Sequence, residues 1–394
     1  MIINSLRRQK LSLYRISNGS FLLVFFLLLF IFSDKKSQAD DLNAEIKSLE
    51  DFSTVYHIIK SRYIQVKNSE DLMFSAMEGM VRGLDPYSDI LTQKDLEKLE
   101  LHSVGQYIGV GVTIQKSGDL FVITQVFKDS PAAAAGIVVG DIIIKIGETI
   151  LKGKTDEEIR RLLVGDIDTK VSVEIQRGTQ EDAVLVKNLK RSLVKANSVE
   201  CFNQDEKTKV ITVFQFLKHS SREIDECMKE DNRSTIILDL RNNPGGLLIS
   251  AVEAAELFLG IGEVVQIRNR ENEVIEKYIS RKPLPEDAPR LIVLTNRYSA
   301  SAAEILAGAI RDRQAGVLIG EQTFGKGVVQ TIYKVSNDIY IKITTAHYYT
   351  PSAKSFDKVG IQPDIEVSDT EGFTRYNSKD LIFMKALDYA KSKQ

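Results

Sequence analysis

The sequence predicts a layered α/β domain that carries an inserted β-rich module and is preceded by a helical segment. Three observations predict it. Apolar stripes at helical spacing occupy 41–101, strand-like runs broken by glycine turns occupy 104–189, and strand–turn–helix units repeat from 195 onward. Composition agrees: 43% of the 394 residues are hydrophobic and 27% are charged, which excludes wholesale disorder and fibrous repeats. With 52 Lys+Arg against 54 Asp+Glu the net charge is -2. No basic field exists to follow a phosphate backbone, so nucleic acid is not an expected partner.

Taken in order, Arg7, Arg8, Lys10 and Arg15 precede an unbroken apolar run over 21–32, and Ser37-Gln38-Ala39 follows. A positive region, a short apolar core and small residues two apart are the parts of a secretory signal, here 1–39. At about 1.5 Å per residue the run falls short of the roughly 30 Å hydrocarbon slab. An uncleaved N-terminal anchor is the alternative, and membrane contact would then be limited to this segment. Either way the rest of the chain is exported, to a periplasmic or other extracytoplasmic site, free or anchored in the inner membrane. The better-supported mature start is near Asp40.

The segment 40–102 reads as helical. Leu49, Phe52, Val55, Tyr56, Ile59 and Tyr63 recur at three- and four-residue steps, and Leu72, Met73, Ala76, Met77, Met80 and Val81 repeat the pattern. Gly83-Leu84-Asp85-Pro86 ends the second helix. These stripes are expected to pack on a neighbour and carry no chemistry.

Over 103–189 the expected strands are 107–114, 120–126, 141–146 and 170–176, with a turn at Ser117-Gly118-Asp119 and a short helix over 157–164. From 190 to 394 a strand over 235–240 leads into Asn242-Asn243-Pro244-Gly245-Gly246 and a helix. A second strand, 291–295, leads through a turn into a helix over 302–311. A mostly parallel sheet follows, and in such sheets chemistry gathers at the carboxyl ends of the strands.

Ser299-Ala300-Ser301-Ala302-Ala303-Glu304 lies at such an end. A serine at the first turn of a helix is held in a sharp bend, with the positive end of the helix dipole behind it. The same serine could simply cap the helix. Downstream, Gly325-Lys326-Gly327 sets a lysine between two glycines. If buried, its ammonium loses stability, and the neutral amine becomes a usable base. The glycines lack the spacing of a phosphate loop. His347 is a competing base but sits in an alternating strand pattern, and no histidine has the setting of a metal pair. Cys201 and Cys227 are too few for a disulfide framework or a four-thiolate zinc site, and whether they pair is open.

Leu84-Asp85-Pro86-Tyr87-Ser88, Gly109-Val110-Gly111, Asp239-Leu240-Arg241-Asn242-Asn243-Pro244-Gly245-Gly246, the Ser299–Glu304 run, Phe324-Gly325-Lys326-Gly327-Val328-Val329-Gln330 and Tyr348-Tyr349-Thr350-Pro351-Ser352 occur in this order. Together they resemble the carboxyl-terminal processing, or tail-specific, proteases of peptidase family S41. The resemblance implies an α/β protease core with a crotonase- or ClpP-like layered sheet, and an inserted PDZ domain. It implies an exported serine endopeptidase that selects protein substrates by their C-terminal ends, with Ser301 rather than Ser299 as nucleophile. Lys326 becomes the general base, Gln330 the residue that positions it, and the backbone N–H groups of Gly246 and Ala302 the oxyanion hole. Such a Ser–Lys mechanism needs no metal or cofactor.

Tyr107, Ile108, Gly109 and Val110 sit where a PDZ fold keeps its carboxylate-binding loop, so protein or peptide chains with accessible apolar C-termini are the implied partners. An adaptor protein and self-association are compatible with the family. The alternative from another class is a non-catalytic PDZ scaffold. Asp239 and Arg241 read as a salt-bridged strand end. Two positions depart from the family pattern: Val164 precedes Gly165 where an arginine is usual, and Ala353 replaces a glycine after Thr350-Pro351-Ser352. Arg160 or Arg161 could take over from the missing arginine.

Overall fold

A computed structural model of the chain describes residues 42–177, 184–195, 197–229, 233–368 and 375–392. The apolar run 21–32, with the signal or anchor expected there, lies outside the described residues. Among the described residues no helix is long and apolar enough to cross a membrane. Two compact units divide the chain, Met1–Met80 and Val81–Gln394.

In the first unit, 42–62 is helical and a second helix, Ser69–Arg82, begins after Asn68. The Asn68 side chain accepts the Glu70 N–H at 3.0 Å, satisfying one of the orphan donors of the first turn. Glu70 and Asp71 near its start and Arg82 at its end complement the helix dipole. The expected stripe is present, but Leu49, Phe52, Val55 and Tyr63 are exposed along it.

The second unit opens with a difference from the sequence reading. Inside the stretch expected to be helical, Asp89–Thr92 is a strand, paired antiparallel to Ile339–Tyr349 with Asp89 opposite Lys342. Four residues are too few to show a period of two, and the helix Gln93–Ser103 follows at once, capped by Thr92 and Asp95.

The β-rich module is a five-strand antiparallel path in the order Val112–Ser117, Leu120–Val126, Ile142–Ile146, Lys170–Gln176, Val184–Lys190. Phe121, Ile123, Ile143, Val173, Ile175 and Leu189 alternate inward to form its core, closed by Ile159 and Leu163 from the helix Asp156–Leu163. Thr155 and Glu158 cap that helix reciprocally. The run 107–114, expected as one strand, is two: Gln106–Gly109 pairs with Ser192–Lys195, and Val112–Ser117 starts the module sheet. Gly111 makes the break. Its φ is +88°, and a Cβ there would stand 2.1 Å from the Cβ of Ser130.

The remaining chain forms four layers. One sheet runs Val199–Asn203, Thr208–Val213, Thr235–Asp239, Arg290–Thr295, Gly316–Gly320, Ile365–Glu366, and is parallel after its first pair. Its inner strands Thr208–Val213, Thr235–Asp239 and Arg290–Thr295 are buried on both faces. Ile236, Leu238 and Val293 pack with the helices Leu248–Phe258 and Ala302–Asp312, while Ile237, Ile292 and Leu294 pack under the C-terminal helix Leu381–Ser392. A second, antiparallel sheet closes over the two inner helices. It contains Gly262–Arg268, Val274–Ser280, Val328–Lys334 and Ile339–Tyr349 together with Asp89–Thr92. Cys201 and Cys227 are joined as a disulfide, tying the edge strand Val199–Asn203 to the helix Ser220–Lys229.

Candidate active site

Three neighbouring parallel strands end side by side, at Asp239, Thr295 and Gly320, and the loops leaving them meet. The loop after Asp239 is built on a buried ion network. Arg241 is fully buried and grips Asp239 at 2.8 Å and Asp380 at 2.6 Å. The Tyr376 hydroxyl donates to Asp239 at 2.8 Å. Burial alone would raise the Asp239 pKa, but the charges of Arg241 and Arg375 overcome it and bring it to about 2. With its charges paired, this end of the strand is a rigid base for the glycine turn.

Asn243 ties that turn to the serine segment. Its side chain donates to the Val213 carbonyl and accepts the Gly245 N–H, both at 2.8 Å, and its own carbonyl accepts the Ala300 N–H at 2.8 Å. Gly245 (φ +99°) lies so close to the serine turn that a Cβ would meet the Ala300 carbonyl at 2.8 Å, Ser301 Cβ at 2.8 Å and Ala302 N at 2.9 Å. Among the described residues neither the Gly246 nor the Ala302 N–H has a protein acceptor. Both groups therefore remain free donors beside Ser301.

The two serines are placed differently. Ser299 is fully buried; its hydroxyl donates to the Leu240 carbonyl at 2.8 Å and accepts the Asn296 N–H at 3.0 Å. Ser301 is partly exposed and strained, with φ +55° and ψ -114°. Its hydroxyl does not cap the helix; the Glu304 N–H donates to the Ser301 carbonyl at 2.9 Å instead.

Glu304 is the residue that sequence reasoning missed. Read locally it completes a capping pattern, and it does accept the Ser301 N–H at 2.8 Å. The same carboxylate oxygen also accepts the Lys326 N–H at 2.8 Å, while its other oxygen takes the Gly325 N–H and the Thr323 hydroxyl, each at 2.6 Å. Burial raises its pKa against the pull of these four donors. One buried carboxylate thus holds the serine turn and the lysine loop together.

Burial pushes the pKa of Lys326 below the ordinary lysine value, and the charge of Lys342 acts in the same direction while Glu304 opposes it. Nζ stands over the ring of Tyr87, 4.6 Å from its centroid. No hydrogen bond joins Nζ to Ser301 here. Gln330 lies beyond a β-bulge between Val329 and itself, opposite Thr344, and its buried Nε2 has no partner. That bulge supplies a bend between Lys326 and Gln330. His347 is half-exposed in its strand, with Nδ1 3.9 Å from Asp357. Among the described residues no cluster of His, Cys, Asp and Glu could hold a metal ion.

In the β-rich module Tyr107, Ile108 and Gly109 belong to the strand paired with Ser192–Lys195, and Val110 with Gly111 forms the turn beyond it. The Tyr107 ring lies beneath Gly109 and edge-on to Phe127, its hydroxyl buried without a partner. Among the described residues Val112–Ser117 pairs on one side only, leaving an open strand edge in this module. Near Val164, the Arg191 guanidinium donates to the Leu162 and Leu163 carbonyls at 2.7 and 3.2 Å and covers Gly165. Arg160 acts on His102, whose pKa is lowered by burial and then by that charge. His102 in turn meets Gln215, one residue before the Phe216 that carries the Gly245-Gly246 turn.

A serine on a strained strand–helix turn, a half-buried lysine whose backbone N–H shares one carboxylate with that turn, and two unpaired backbone donors define a site of the serine-peptidase type. Residues 207–367 match the model of peptidase family S41, residues 122–177 a PDZ domain and residues 31–94 the N-terminal domain of the activating protease CtpB. The chain is 31% identical over 328 residues to a carboxy-terminal-processing protease of Bartonella bacilliformis, covering 82% of this chain and 75% of that protein. It belongs to peptidase family S41. A CtpA-like serine protease of Staphylococcus aureus is 35% identical over 337 residues, 84% of this chain and 66% of that relative, so the chain spans just under two thirds of the staphylococcal protein. The solved photosystem II D1 C-terminal processing protease superposes with a TM-score of 0.57 at 26% identity, covering 78% of this chain and 85% of that one.

Proposed function

We propose that the chain is an exported serine endopeptidase with a Ser301–Lys326 dyad that cleaves protein substrates chosen by their C-terminal ends. The observation that carries this reading is the shared Glu304 carboxylate, which fixes the backbone of the serine and of the lysine at one point. Neutral Lys326 takes the Ser301 proton as the hydroxyl oxygen attacks the peptide carbonyl. The N–H groups of Gly246 and Ala302 receive the oxyanion, and Lys326 then protonates the leaving amine. Water hydrolyses the acyl-enzyme by the same route. From the structure described here, Nζ must first leave the Tyr87 ring and turn to Ser301, with Gln330 holding it there.

The open edge of Val112–Ser117 beside the Val110-Gly111 turn supports strand-like addition of a substrate's C-terminus, with backbone N–H groups receiving its carboxylate. The chain from Arg160 through His102 and Gln215 to Phe216 supports gating of the site by the module in addition to recruitment. The Cys201–Cys227 disulfide supports an oxidising, extracytoplasmic location. The exposed stripe Leu49, Phe52, Val55 and Tyr63 supports self-association through the N-terminal unit.

The test uses a disordered protein ending in an apolar residue, prepared as a free acid and as an amide. Wild type cleaves the acid form, Ser301→Ala and Lys326→Ala cleave neither, and Ser301→Ala binds the acid more tightly than the amide. Activity rises with pH as Lys326 loses its proton, at a lower pH than an ordinary lysine would require. Cleavage by Lys326→Ala at the wild-type rate rules out the dyad; equal binding of acid and amide rules out carboxylate capture.

A further inference from the structure

Tyr87 lies more than two hundred positions from Lys326 in the sequence, yet its ring is the surface on which Nζ rests. Among the described residues no carboxylate or carbonyl is within hydrogen-bonding distance of that ammonium. The ring is itself held in place. Asp85 accepts the N–H groups of Tyr87 and Ser88 at 2.7 and 2.8 Å and the Ser88 hydroxyl at 2.9 Å. Ser88 Oγ then accepts the Thr344 N–H at 3.3 Å, on the strand that faces Gln330. One residue further, Asp89 pairs with Lys342 of the same strand. The Asp85-Pro86-Tyr87-Ser88 turn is thus docked on the sheet that carries the surroundings of Lys326.

We propose that Tyr87 is a positioning residue for Lys326: its ring face receives the protonated side chain between turnovers and holds it away from Ser301. This rests on the Ser–Lys reading given above. A cation is attracted to the negative face of an aromatic ring, whereas a neutral amine gains little there. The ring therefore holds the lysine in its protonated form and releases it when the proton is lost. The other charges facing the pair are Lys342 from the adjoining strand, Glu304 from the nucleophile helix, and Asp357 and Asp85 beside the phenol. Burial and the last three raise the Tyr87 pKa, which favours the neutral phenol, while burial lowers that of Lys326. Lys342 opposes protonation of Lys326 and Glu304 favours it, and both are unchanged in variants of Tyr87.

The test is a titration of the full chain carrying Ser301→Ala and ¹³Cε-labelled lysine, with the Lys326 signal assigned by its loss in Lys326→Arg. The ring current of Tyr87 shifts the Lys326 ε-proton signals upfield at a pH below the midpoint. Tyr87→Phe keeps both that shift and the midpoint, because it keeps the ring. Tyr87→Leu abolishes the shift and lowers the midpoint by roughly half to one pH unit. Absence of the upfield shift in the Tyr87 protein overturns the proposal, as does a midpoint in Tyr87→Leu that is unchanged or higher. An equal change in Tyr87→Phe and Tyr87→Leu overturns it as well, by removing the ring face as the cause. This readout needs no activity. Failure of the dyad reading shows separately, as cleavage that survives Lys326→Ala.

Discussion

Gly245→Ala is the perturbation whose effect the geometry defines most closely. The new methyl would lie 2.8 Å from the Ala300 carbonyl, 2.8 Å from Ser301 Cβ and 2.9 Å from Ala302 N, all of them backbone or near-backbone atoms. None is the end of a flexible side chain, so the glycine turn must move away from the serine turn. That motion withdraws the Gly246 N–H from the proposed oxyanion hole. Loss of one oxyanion donor raises the activation barrier by about 2.7–4 kcal/mol, or roughly 10²–10³ in kcat. Holding alanine at φ +99° adds about 1–3 kcal/mol of strain to the folded state. Gly147→Ala is the control, because Gly147 has φ +55° with nothing within 4 Å of the added methyl. It incurs strain alone and leaves the site untouched. The assay is kcat/KM on a fluorogenic peptide beside a urea unfolding curve for each protein. A folded Gly245→Ala with the kcat/KM of Gly147→Ala would refute the reasoning.

Arg241→Met leaves Asp239 and Asp380 buried without their cation and is expected to cost about 3–5 kcal/mol in urea unfolding. The Asp239 pKa lies below the unfolded 3.8, so its stabilisation is complete above that pH and is lost as pH falls toward about 2. Acid unfolding curves of the wild type and Arg241→Met check the sign. Reduction of Cys201–Cys227, which are 26 residues apart, should lower stability by about 3.5 kcal/mol on loop-closure grounds, and an unfolding midpoint insensitive to reductant would contradict it. Ala353 adopts φ +60°, the left-handed conformation that the glycine common at this family position accepts freely. Ala353→Gly should therefore stabilise by about 1 kcal/mol, read as a rise in the thermal midpoint.

The order of layers was legible because each leaves a periodic trace. The strands ending at Asp239 and Thr295 are continuous apolar runs, as parallel strands buried on both faces must be. Ser301 and Lys326 were legible through their glycine and alanine neighbours. Gly325 (φ +88°) and Gly327 would place a Cβ 3.0 and 2.6 Å from backbone nitrogens, an approach only glycine permits without displacement. Features built from distant residues were not legible. Glu304 looks locally like a helix cap, and nothing in its own turn indicates that it also binds Thr323, Gly325 and Lys326. Asp380 and Tyr376 complete the Arg241 network from the far end of the chain. Tyr87 could be recognised as part of a turn but not as the ring beneath Lys326. The strand Asp89–Thr92 was hidden because its signal is pairing with 339–342 rather than any pattern of its own.

The central claim is that Ser301 is the nucleophile and that Lys326 activates it. A fluorophosphonate, which phosphonylates activated serines with loss of fluoride, followed by peptide mapping of the modified site, tests it most directly. One labelled residue, Ser301, is expected, with labelling abolished in Ser301→Ala and Lys326→Ala and retained in folded Ser299→Ala. A label on Ser299, or peptide cleavage that persists in Ser301→Ala, would contradict it.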